Sequence, residues 1–288
     1  MRRFVDLHVH THHSDSTLTP KQVVDLAHKK GFSAIAITDH DCIDGIEPSK
    51  EAGKKCGLEI VPGVELTAEI DNMEMHILGY FVDWKNKWFV DKLEEMRLAR
   101  VNRIYEMCRC LKGRSLEVDA EKVMHLSGPG SVGRLHLAIV MYNEGYVSTI
   151  NEAFRKYIGN NSPCYVKKFK LSPREAIDII LSMGGVPVLA HPHIMGRDDL
   201  IPELVSYGMK GIEAYHTDHP HSVILHYEDV ALEHGLIATG GSDCHGMGKG
   251  NILIGRIKIP YAVVERLKEE ARNIRVSQNI SMGETDLL

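Results

Sequence analysis

The sequence predicts an α/β fold with a largely parallel sheet. Two observations carry this prediction. Short apolar or β-branched runs alternate with helical patterns along most of the chain, which is the rhythm of repeated strand–helix–strand units. In addition, most of the predicted strands end in or directly before a histidine or a carboxylate. In parallel α/β folds the carboxyl ends of the strands form the face where active sites assemble.

The predicted strands are, in chain order, residues 4–8, 34–38, 59–64, 75–81, 186–190, 211–215, 236–239 and 252–259. Capping residues mark two helix starts between them, at Thr19-Pro20 and at Ser172-Pro173-Arg174-Glu175. From about residue 84 to 170 the strand patterns disappear, and helical patterns occupy residues 90–111, 120–126, 132–143 and 150–158. We therefore predict a helical insertion at 84–170, acting as a lid on an α/β body formed by 1–83 and 171–288.

The composition is typical of a globular enzyme. The chain has 288 residues, of which 43% are hydrophobic and 25% are charged. Its net charge of −5 provides no overall attraction for nucleic acid, so no long duplex nucleic acid is expected as a partner. No apolar run approaches the roughly 20 residues of a membrane span, and Asp6 and His8 interrupt the N-terminal stretch where a signal peptide is apolar. We expect a cytoplasmic protein without membrane contact.

Cysteine and histidine differ in what they indicate. The six cysteines include no CxxC pair, and in a cytoplasmic chain of this size we expect reduced thiols and no disulfide framework. The histidine count of 17 is unusually high. Because imidazole is the commonest protein ligand of borderline metal ions, histidine clusters are the first features to look for.

The first candidate metal ligands stand in the segment DLHVHTHHSD, residues 6–15. His8 and His10 lie on one face of the predicted strand, because side chains alternate along a strand. Both imidazoles can therefore meet one ion, and Asp15 adds a carboxylate after a short turn. A single HxH pair is more often an ordinary core or surface pair, so the metal hypothesis depends on the residues that follow.

The remaining candidates stand in or just after other predicted strands: His40, Glu65, His76, His191, Asp243 and His245. Burying so many imidazoles and carboxylates without partners would be costly. Six imidazoles and three carboxylates exceed the three or four ligands of one tetrahedral ion, so two or three divalent ions are predicted. Nitrogen-rich ligation with carboxylates suits Mn, Zn or Fe, and Mg is a further candidate.

Such a centre favours hydrolysis of phosphate esters. Three divalent cations against three carboxylates leave roughly three positive charges, a field that suits a phosphate dianion. Cations about 3.5–4 Å apart can share a metal-bridging hydroxide, lower the pKa of its parent water towards about 7, and hold the phosphoryl oxygens during in-line attack on phosphorus. Other metallohydrolase reactions stay open at this point.

In these segments the chain resembles the PHP (polymerase and histidinol phosphatase) family, whose hallmark segments look like DLHVHTHHSD, ITDHD, VPGVE, LAHP and GGSDCH. The resemblance covers nearly the whole chain. It extends to the stand-alone bacterial enzymes that remove phosphate from nucleoside bisphosphates or trim short oligonucleotides. It implies a distorted (β/α)7 TIM-like barrel with a trinuclear metal site at the C-terminal mouth.

The resemblance also implies which ligands hold each ion. His8, His10, Glu65 and Asp243 would hold one ion, Asp15, His40 and His245 a second, and Glu65, His76 and His191 a third, with Glu65 bridging. The chain departs from the pattern of similar enzymes at Cys42, Ile139 and Cys244. These departures leave the predicted metal site intact and leave the identity of the substrate open.

Five further residues are predicted to act around the metal ions. Arg134, near a helix N-terminus, is a candidate phosphate-binding residue together with His136. Lys168 belongs to a basic segment that is as typical of a solvated surface as of a phosphate contact. His219 aligns with a histidine of similar enzymes and is a candidate general acid for the leaving alkoxide. Asp39 is predicted to orient the ligands instead of binding metal.

We therefore expect metal-dependent hydrolysis of a nucleotide phosphomonoester, such as a nucleoside 3',5'-bisphosphate, with 5'-3' trimming of short oligonucleotides left open as an extension. One alternative is a histidinol-phosphate phosphatase or another small-metabolite phosphatase. Another is a non-catalytic metal-binding PHP module. The segment that contains Arg134 favours the nucleotide enzymes, and the complete ligand set disfavours the non-catalytic module.

Overall fold

The computed structural model describes residues 3–71, 73–128, 131–167, 171–248 and 251–280. The chain divides into two compact units, one formed by Met1–Val90 and Lys170–Leu288 and the other by Asp91–Phe169. Strands occur in the first unit, whereas the described regular structure of the second is helical. The action of the insertion as a lid stays a prediction. Among the described helices, none combines the length and the apolar character that crossing a membrane requires.

The strands of the first unit are β1 (Phe4–Val9), β2 (Ala34–Ile37), β3 (Glu59–Ile70), β4 (Met73–Tyr80), β5 (Val186–Leu189), β6 (Gly211–His216), β7 (Ile237–Gly241) and β8 (Ile259–Pro260). They form one sheet in the order β7-β6-β5-β4-β3-β2-β1-β8. The runs β1-β2-β3 and β5-β6-β7 are parallel, while β4 is antiparallel to both neighbours and β8 is antiparallel to β1. The α/β prediction is confirmed, with β4 reversed inside the largely parallel sheet.

The helices are α1 (Pro20–Lys29), α2 (Ile46–Cys56), α3 (Lys87–Lys112), α4 (Ala120–Ser127), α5 (Arg134–Asn143), α6 (Ile150–Ala153), α7 (Pro173–Ser182), α8 (Pro192–Met195), α9 (Ile201–Ser206), α10 (His221–Glu233) and α11 (Ala262–Ser277). A π-helical turn, Phe154–Ile158, follows α6, and a 3-10 turn, Asp198–Leu200, precedes α9. Both predicted capping boxes are present, with Thr19 capping α1 and Ser172 capping α7. These caps satisfy backbone N–H groups that have no partner within the helix.

The sheet curls into a nearly closed barrel, because the chain after β7 returns to β1. The Asp243 backbone N–H donates to the His8 carbonyl at 2.9 Å, and the His10 N–H donates to the Cys244 carbonyl at 3.1 Å. Apolar side chains of both strand runs and of α11 form the core below this seam. A distorted barrel of the predicted kind is thus confirmed, with β8 as an added edge strand.

The predicted strand at residues 252–259 is wrong except for its last residue. The backbone N–H of Arg256 donates to the Leu253 carbonyl at 3.0 Å, and Gly255 adopts a φ of +93°. These are features of a turn, and a residue at positive φ does not continue an extended strand. The run of isoleucine and leucine that suggested a strand is therefore folded into turns, and only Ile259 pairs with β1.

The second unit has its own apolar core, to which α3, α4, α5 and the π-helical turn contribute. The expectation of reduced thiols is wrong for Cys110 and Cys164, which form a disulfide across 54 residues of sequence. Cys110 lies near the end of α3, and the chain brings Cys164 to it only after three further helices. The spacing of cysteines in the sequence does not reveal such a tertiary contact. The cytoplasmic location stays a prediction.

We predict that Gly241→Ala destabilises the barrel at its seam. A β-carbon on Gly241 would lie 2.3 Å from the backbone nitrogen of His8 and 2.4 Å from its Cβ. Backbone atoms cannot move aside as a flexible side chain can, so we expect a loss of about 2 kcal/mol or more in the free energy of unfolding, measured by denaturant titration. Gly133→Ala is the control, because a β-carbon there meets no atom within 4 Å. Equal stability of both variants would contradict the assignment of the seam.

Candidate metal centre

The structure brings all nine predicted ligands together at one end of the barrel: His8, His10, Asp15, His40, Glu65, His76, His191, Asp243 and His245. Most of them stand at or just beyond the carboxyl ends of β1, β2, β5 and β7. Glu65 and His76 instead lie within β3 and β4, which pair with each other and extend past the other strands. The sheet therefore supplies ligands both from strand ends and from a projecting hairpin.

Glu65 is the centre of the cluster and is fully buried. Five imidazole nitrogens lie within 3.2 Å of its carboxylate, namely those of His8, His10 and His40 at Oε2 and those of His76 and His191 at Oε1. The two oxygens thus face two different sets of nitrogens. A carboxylate in this position can bridge two metal ions.

Three sets of ligand atoms are each compact enough to hold one ion: His8, His10, Glu65 and Asp243; His10, Asp15, His40 and His245; and His40, Glu65 and His76. His191 joins the third set, because its Nε2 lies 3.1 Å from Glu65 Oε1 and 3.3 Å from His76 Nδ1. The first set is the one that the family resemblance implies. In the other two, His10 and His40 stand close enough to take part as well.

The separations between these atoms fit metal ligation. Two atoms that each bind a tetrahedral ion at about 2.1 Å lie about 3.4 Å from one another. His10 Nε2 is 3.1 Å from Asp243 Oδ1, and His245 Nε2 is 3.2 Å from Asp15 Oδ1. Within the described part of the chain, His10 Nε2, His40 Nδ1 and Asp15 Oδ1 are buried and, despite these short separations, form no hydrogen bond of acceptable geometry. Since such atoms are costly, the donor set fits divalent cations.

The electrostatics of the cluster are set by burial and by mutual attraction. Burial disfavours the ionised form of Glu65, but His40, His8 and the neighbouring imidazoles hold its pKa well below the usual range. Burial also lowers the pKa of His10 and His76, yet the facing carboxylates outweigh it and raise the pKa to about 9 for His10 and about 10 for His76. Cations that bind there must displace these protons.

Hydrogen bonds to the far side of two ligand rings fix which nitrogen faces the cluster. His245 donates from Nδ1 to the Asp243 carbonyl at 2.8 Å. His8 Nδ1 lies 3.0 Å from a Glu213 carboxylate oxygen, which can only accept when ionised. Each ring therefore keeps Nε2 for the cluster, the arrangement expected for histidines that bind metal.

Two buried acids at the site, Asp6 and Glu213, were missed by the sequence-based prediction. Asp6 accepts the Ser242 backbone N–H at 2.8 Å, and burial raises its pKa to about 6. Glu213 contacts His8 and also accepts the backbone N–H of His191 at 2.8 Å. The available signal was an acidic residue inside an apolar strand, in FVDLHV and in GIEAYH, because an acid at such a position needs a buried partner.

Asp39 lies where it can hold the turn between His10 and Asp15. Its Oδ1 accepts the Thr11 backbone N–H at 2.7 Å and the Ser14 hydroxyl at 2.6 Å, and its Oδ2 accepts the Thr11 hydroxyl at 2.7 Å. These bonds join the end of β2 to the loop after β1. The predicted orienting role of Asp39 stays a prediction, and its contacts are those of a loop anchor.

Three of the seven described non-glycine residues with positive φ lie where the chain leaves the strands towards the cluster. Asp41, His191 and Asp243 adopt positive φ angles of 47°, 26° and 50°. Non-glycine residues in such conformations cost of order 1–3 kcal/mol each and persist only where the surroundings enforce them. The carboxylate of Asp41 is held by the backbone N–H of Thr67 at 2.8 Å, which is one such restraint.

His219 follows β6 and is buried. Its Nδ1 donates to the Ala214 carbonyl at 2.9 Å, and its Nε2 is buried without a hydrogen-bond partner among the described residues. The ring centroid lies 5.2 Å from that of His216, whose Nε2 is 3.6 Å from Asp243 Oδ2. His219 therefore contacts His216, which in turn lies beside the predicted metal ligand Asp243.

The predicted substrate-binding residues Arg134 and His136 belong to the second unit, in the first turn of α5. Arg134 donates to the Asn160 side chain at 2.7 Å and to the Ile158 carbonyl at 3.3 Å, and its guanidinium lies near the rings of Phe154 and Tyr165. These contacts fix its position within that unit. Lys168 lies outside the described residues, and phosphate binding by all three residues stays a prediction.

Comparison with known proteins gives one family match and several relatives. The family model described as PHP domain matches residues 6–169. The chain is 31% identical to the 3',5'-nucleoside bisphosphate phosphatase of Chromobacterium violaceum, covering 87% of this chain and 90% of that protein. It is 31% identical to the phosphoribosyl 1,2-cyclic phosphate 1,2-diphosphodiesterase of Eggerthella lenta, covering 84% and 94%. It is 30% identical to the 5'-3' exoribonuclease Rnm of Escherichia coli, covering 83% and 84%.

A solved structure agrees with the barrel. A protein of Bifidobacterium adolescentis assigned as a metal-dependent phosphoesterase superposes with a TM-score of 0.81 at 29% identity, covering 92% of this chain and 96% of that one. The similarity therefore extends over nearly all of both chains.

We predict that a chelator lowers the thermal unfolding midpoint and that added Mn²⁺ or Zn²⁺ restores it. Ions that bind only the folded protein at 100 times their dissociation constant stabilise it by about 2.7 kcal/mol. Glu65→Ala should lose most of this metal-dependent shift, because Glu65 contacts five of the imidazoles.

The control for the chelation experiment is His226→Ala. His226 is a half-exposed histidine that contacts Asp198 outside the cluster, so its removal should leave the shift as in the wild type. A wild-type midpoint that is indifferent to chelator and metal would count against the metal centre.

Proposed function

The chain belongs to the PHP family, and from this premise we propose that it is a metal-dependent phosphoesterase acting on phosphorylated nucleosides. The single observation that carries the proposal is the buried Glu65 carboxylate between two sets of imidazoles. Such a donor set suits two or three divalent cations, with Mn, Zn or Fe favoured by its nitrogen-rich character and Mg as a further candidate. Hydrolysis of a phosphate ester is the reaction that this centre serves best.

The metal ions, when bound, would supply a hydroxide nucleophile near neutral pH and would neutralise charge on the phosphoryl oxygens. The chain's own residues have separate tasks. Glu65, with the surrounding histidines and Asp15 and Asp243, would hold the ions. Asp39 keeps the loop that carries Asp15 in place. His219 provides a buried nitrogen for proton transfer to the leaving oxygen.

The relatives support a class of substrate. The names of the C. violaceum, E. lenta and E. coli proteins all specify a phosphorylated pentose, which carries a base in two of them. Their bonds differ, since one name specifies a phosphomonoester, one a cyclic phosphate diester and one a chain of nucleotides. We propose a nucleoside 3',5'-bisphosphate as the substrate, with stepwise 5'-3' trimming of short oligoribonucleotides as an extension. Arg134 and His136 are the proposed phosphate contacts of the insertion.

Two alternatives predict different outcomes in the same assay. A histidinol-phosphate phosphatase, or another small-metabolite phosphatase, would use the same metal ligands without a need for a nucleoside. A non-catalytic metal-binding module would bind the ions and release no phosphate. The phosphoribosyl cyclic phosphate named for the E. lenta relative is a further substrate to include.

The deciding experiment measures, in one preparation, bound metal, inorganic phosphate released from the small substrates and mononucleotide released from the oligoribonucleotide. With added Mn²⁺, the substrates are adenosine 3',5'-bisphosphate, 5'-AMP, histidinol phosphate, the phosphoribosyl cyclic phosphate and a short 5'-phosphorylated oligoribonucleotide. We expect two to three ions per chain and fastest release from the bisphosphate, reduced at least about 10²-fold in His191→Ala.

His226→Ala is the matched control for His191→Ala and should retain wild-type rates, because it removes a histidine outside the cluster. Release from histidinol phosphate alone would favour the metabolite phosphatase. Bound metal with no turnover of any of these substrates would favour the non-catalytic module.

We predict that His219→Asn slows esters with a poor leaving group far more than esters with a good one. Proton donation by a positioned side chain contributes about 10²–10⁴-fold, so adenosine 3',5'-bisphosphate should lose about 10²-fold or more. Release of nitrophenolate from nitrophenyl phosphate needs no proton and should change little. Equal losses on both esters would exclude proton donation by His219.

The effect of His219→Asn should also depend on pH. Burial lowers the pKa of His219 below its ordinary value, and its Nε2 is protonated only when the ring is charged, because Nδ1 donates to Ala214. The charged fraction falls as the pH rises through the lowered pKa. The difference between wild type and variant should therefore be largest on the acid side and should shrink towards alkaline pH in the kcat profile.

A further inference from the structure

We infer that Glu213 is a positioning residue of the metal centre, fixing the ring of His8 and the backbone of His191 with one carboxylate. This inference rests on the proposed function in so far as it takes the cluster to be a metal site. Glu213 is in β6 and is fully buried. It lies between the ends of β1 and β5, each of which carries a predicted ligand.

The first contact of Glu213 selects the nitrogen that His8 offers to metal. Both carboxylate oxygens lie close to His8 Nδ1, at 3.0 and 3.2 Å. An ionised carboxylate only accepts hydrogen bonds, so Nδ1 must carry a proton. His8 Nε2 is then the nitrogen that can give up its proton to a metal ion, and it faces Glu65 Oε2 at 3.2 Å and Asp243 Oδ1 at 3.4 Å.

The second contact holds a strained backbone. His191 adopts φ of 26° and ψ of 59° where the chain passes from β5 into α8. Its backbone N–H donates to Glu213 Oε2 at 2.8 Å, and its Nε2 reaches Glu65 Oε1 at 3.1 Å. The hydrogen bond from this N–H to the buried Glu213 carboxylate offsets part of the backbone strain at His191. The Glu213 carboxylate therefore positions two predicted ligands, His8 at Oε2 of Glu65 and His191 at Oε1 of Glu65.

Glu213→Gln separates positioning from simple packing, because the side chains have the same shape. If the new amide oxygen keeps accepting the His191 backbone N–H, the amide NH₂ group faces His8 Nδ1. Because this NH₂ group is a hydrogen-bond donor, Nδ1 must then accept the hydrogen bond. The proton of His8 then moves to Nε2, which can no longer bind metal. We expect metal affinity to fall about 10–100-fold, the usual effect of losing a hydrogen-bond partner behind a ligand.

The measurement is a competitive titration of metal-free protein with Zn²⁺ or Mn²⁺ against a chromophoric chelator, with elemental analysis of the loaded samples. Glu59→Gln is the matched control, since Glu59 is a strand glutamate paired with Lys268 and outside the cluster. It should bind metal as the wild type does. Glu213→Asp keeps an acceptor one methylene shorter and should recover part of the lost affinity.

Equal metal affinity of the wild type and Glu213→Gln would overturn the inference, as would an effect limited to the unfolding midpoint of the metal-free variants. If Glu213→Gln does not fold, ¹⁵N NMR of histidine in the zinc-loaded wild type decides: a proton on Nδ1 of His8 and zinc on Nε2 support the inference, and zinc on Nδ1 overturns it. None of these readouts depends on which ester is hydrolysed, so failure of the proposed substrate is distinguishable from failure of this role.

Discussion

The structure of the first unit depends on one constraint, which is the cost of burying the Glu65 carboxylate. A lone ionised carboxylate in a barrel interior is strongly unfavourable. Five imidazoles surround it, and they come from β1, β2, β4 and β5 or from the residues that directly follow these strands. No single supersecondary unit can supply all of them. The barrel is the arrangement that brings these strand ends to one carboxylate, and the apolar core below holds them there.

Around this cluster, a further set of acids ties the loops to the strands. Asp39 holds the loop after β1, Asp41 holds β3, and Asp6 holds the segment after β7. Each accepts a backbone N–H, so each restrains the path of the chain beside a predicted ligand. Asp41 and Asp243 keep positive φ angles beside these bonds, and His191 keeps its positive φ beside the bond from its N–H to Glu213. The strain is sustained by charged hydrogen bonds, which are stronger than neutral ones.

The sequence was most informative where a local rule sufficed. The spacing of His8 and His10 follows from the alternation of side chains in a strand, and the helix starts at Thr19 and Ser172 follow from capping chemistry; both are seen in the structure. The reversal of β4, the disulfide of Cys110 with Cys164, and the role of Glu213 depend on contacts between distant segments. The error at 252–259 has a local origin, because apolar content outweighed the turn that Gly255 allows.

The seam between β7 and β1 has a consequence for how the protein is made. The segment that closes the barrel also carries Asp243 and His245, whereas His8 and His10 stand near the start of the chain. A ribosome produces the chain from its N-terminus, so His8 and His10 are made before Asp243 and His245. The complete cluster can form only after the segment that follows β7 has been made. Until then the barrel is open at the edge where these ligands meet.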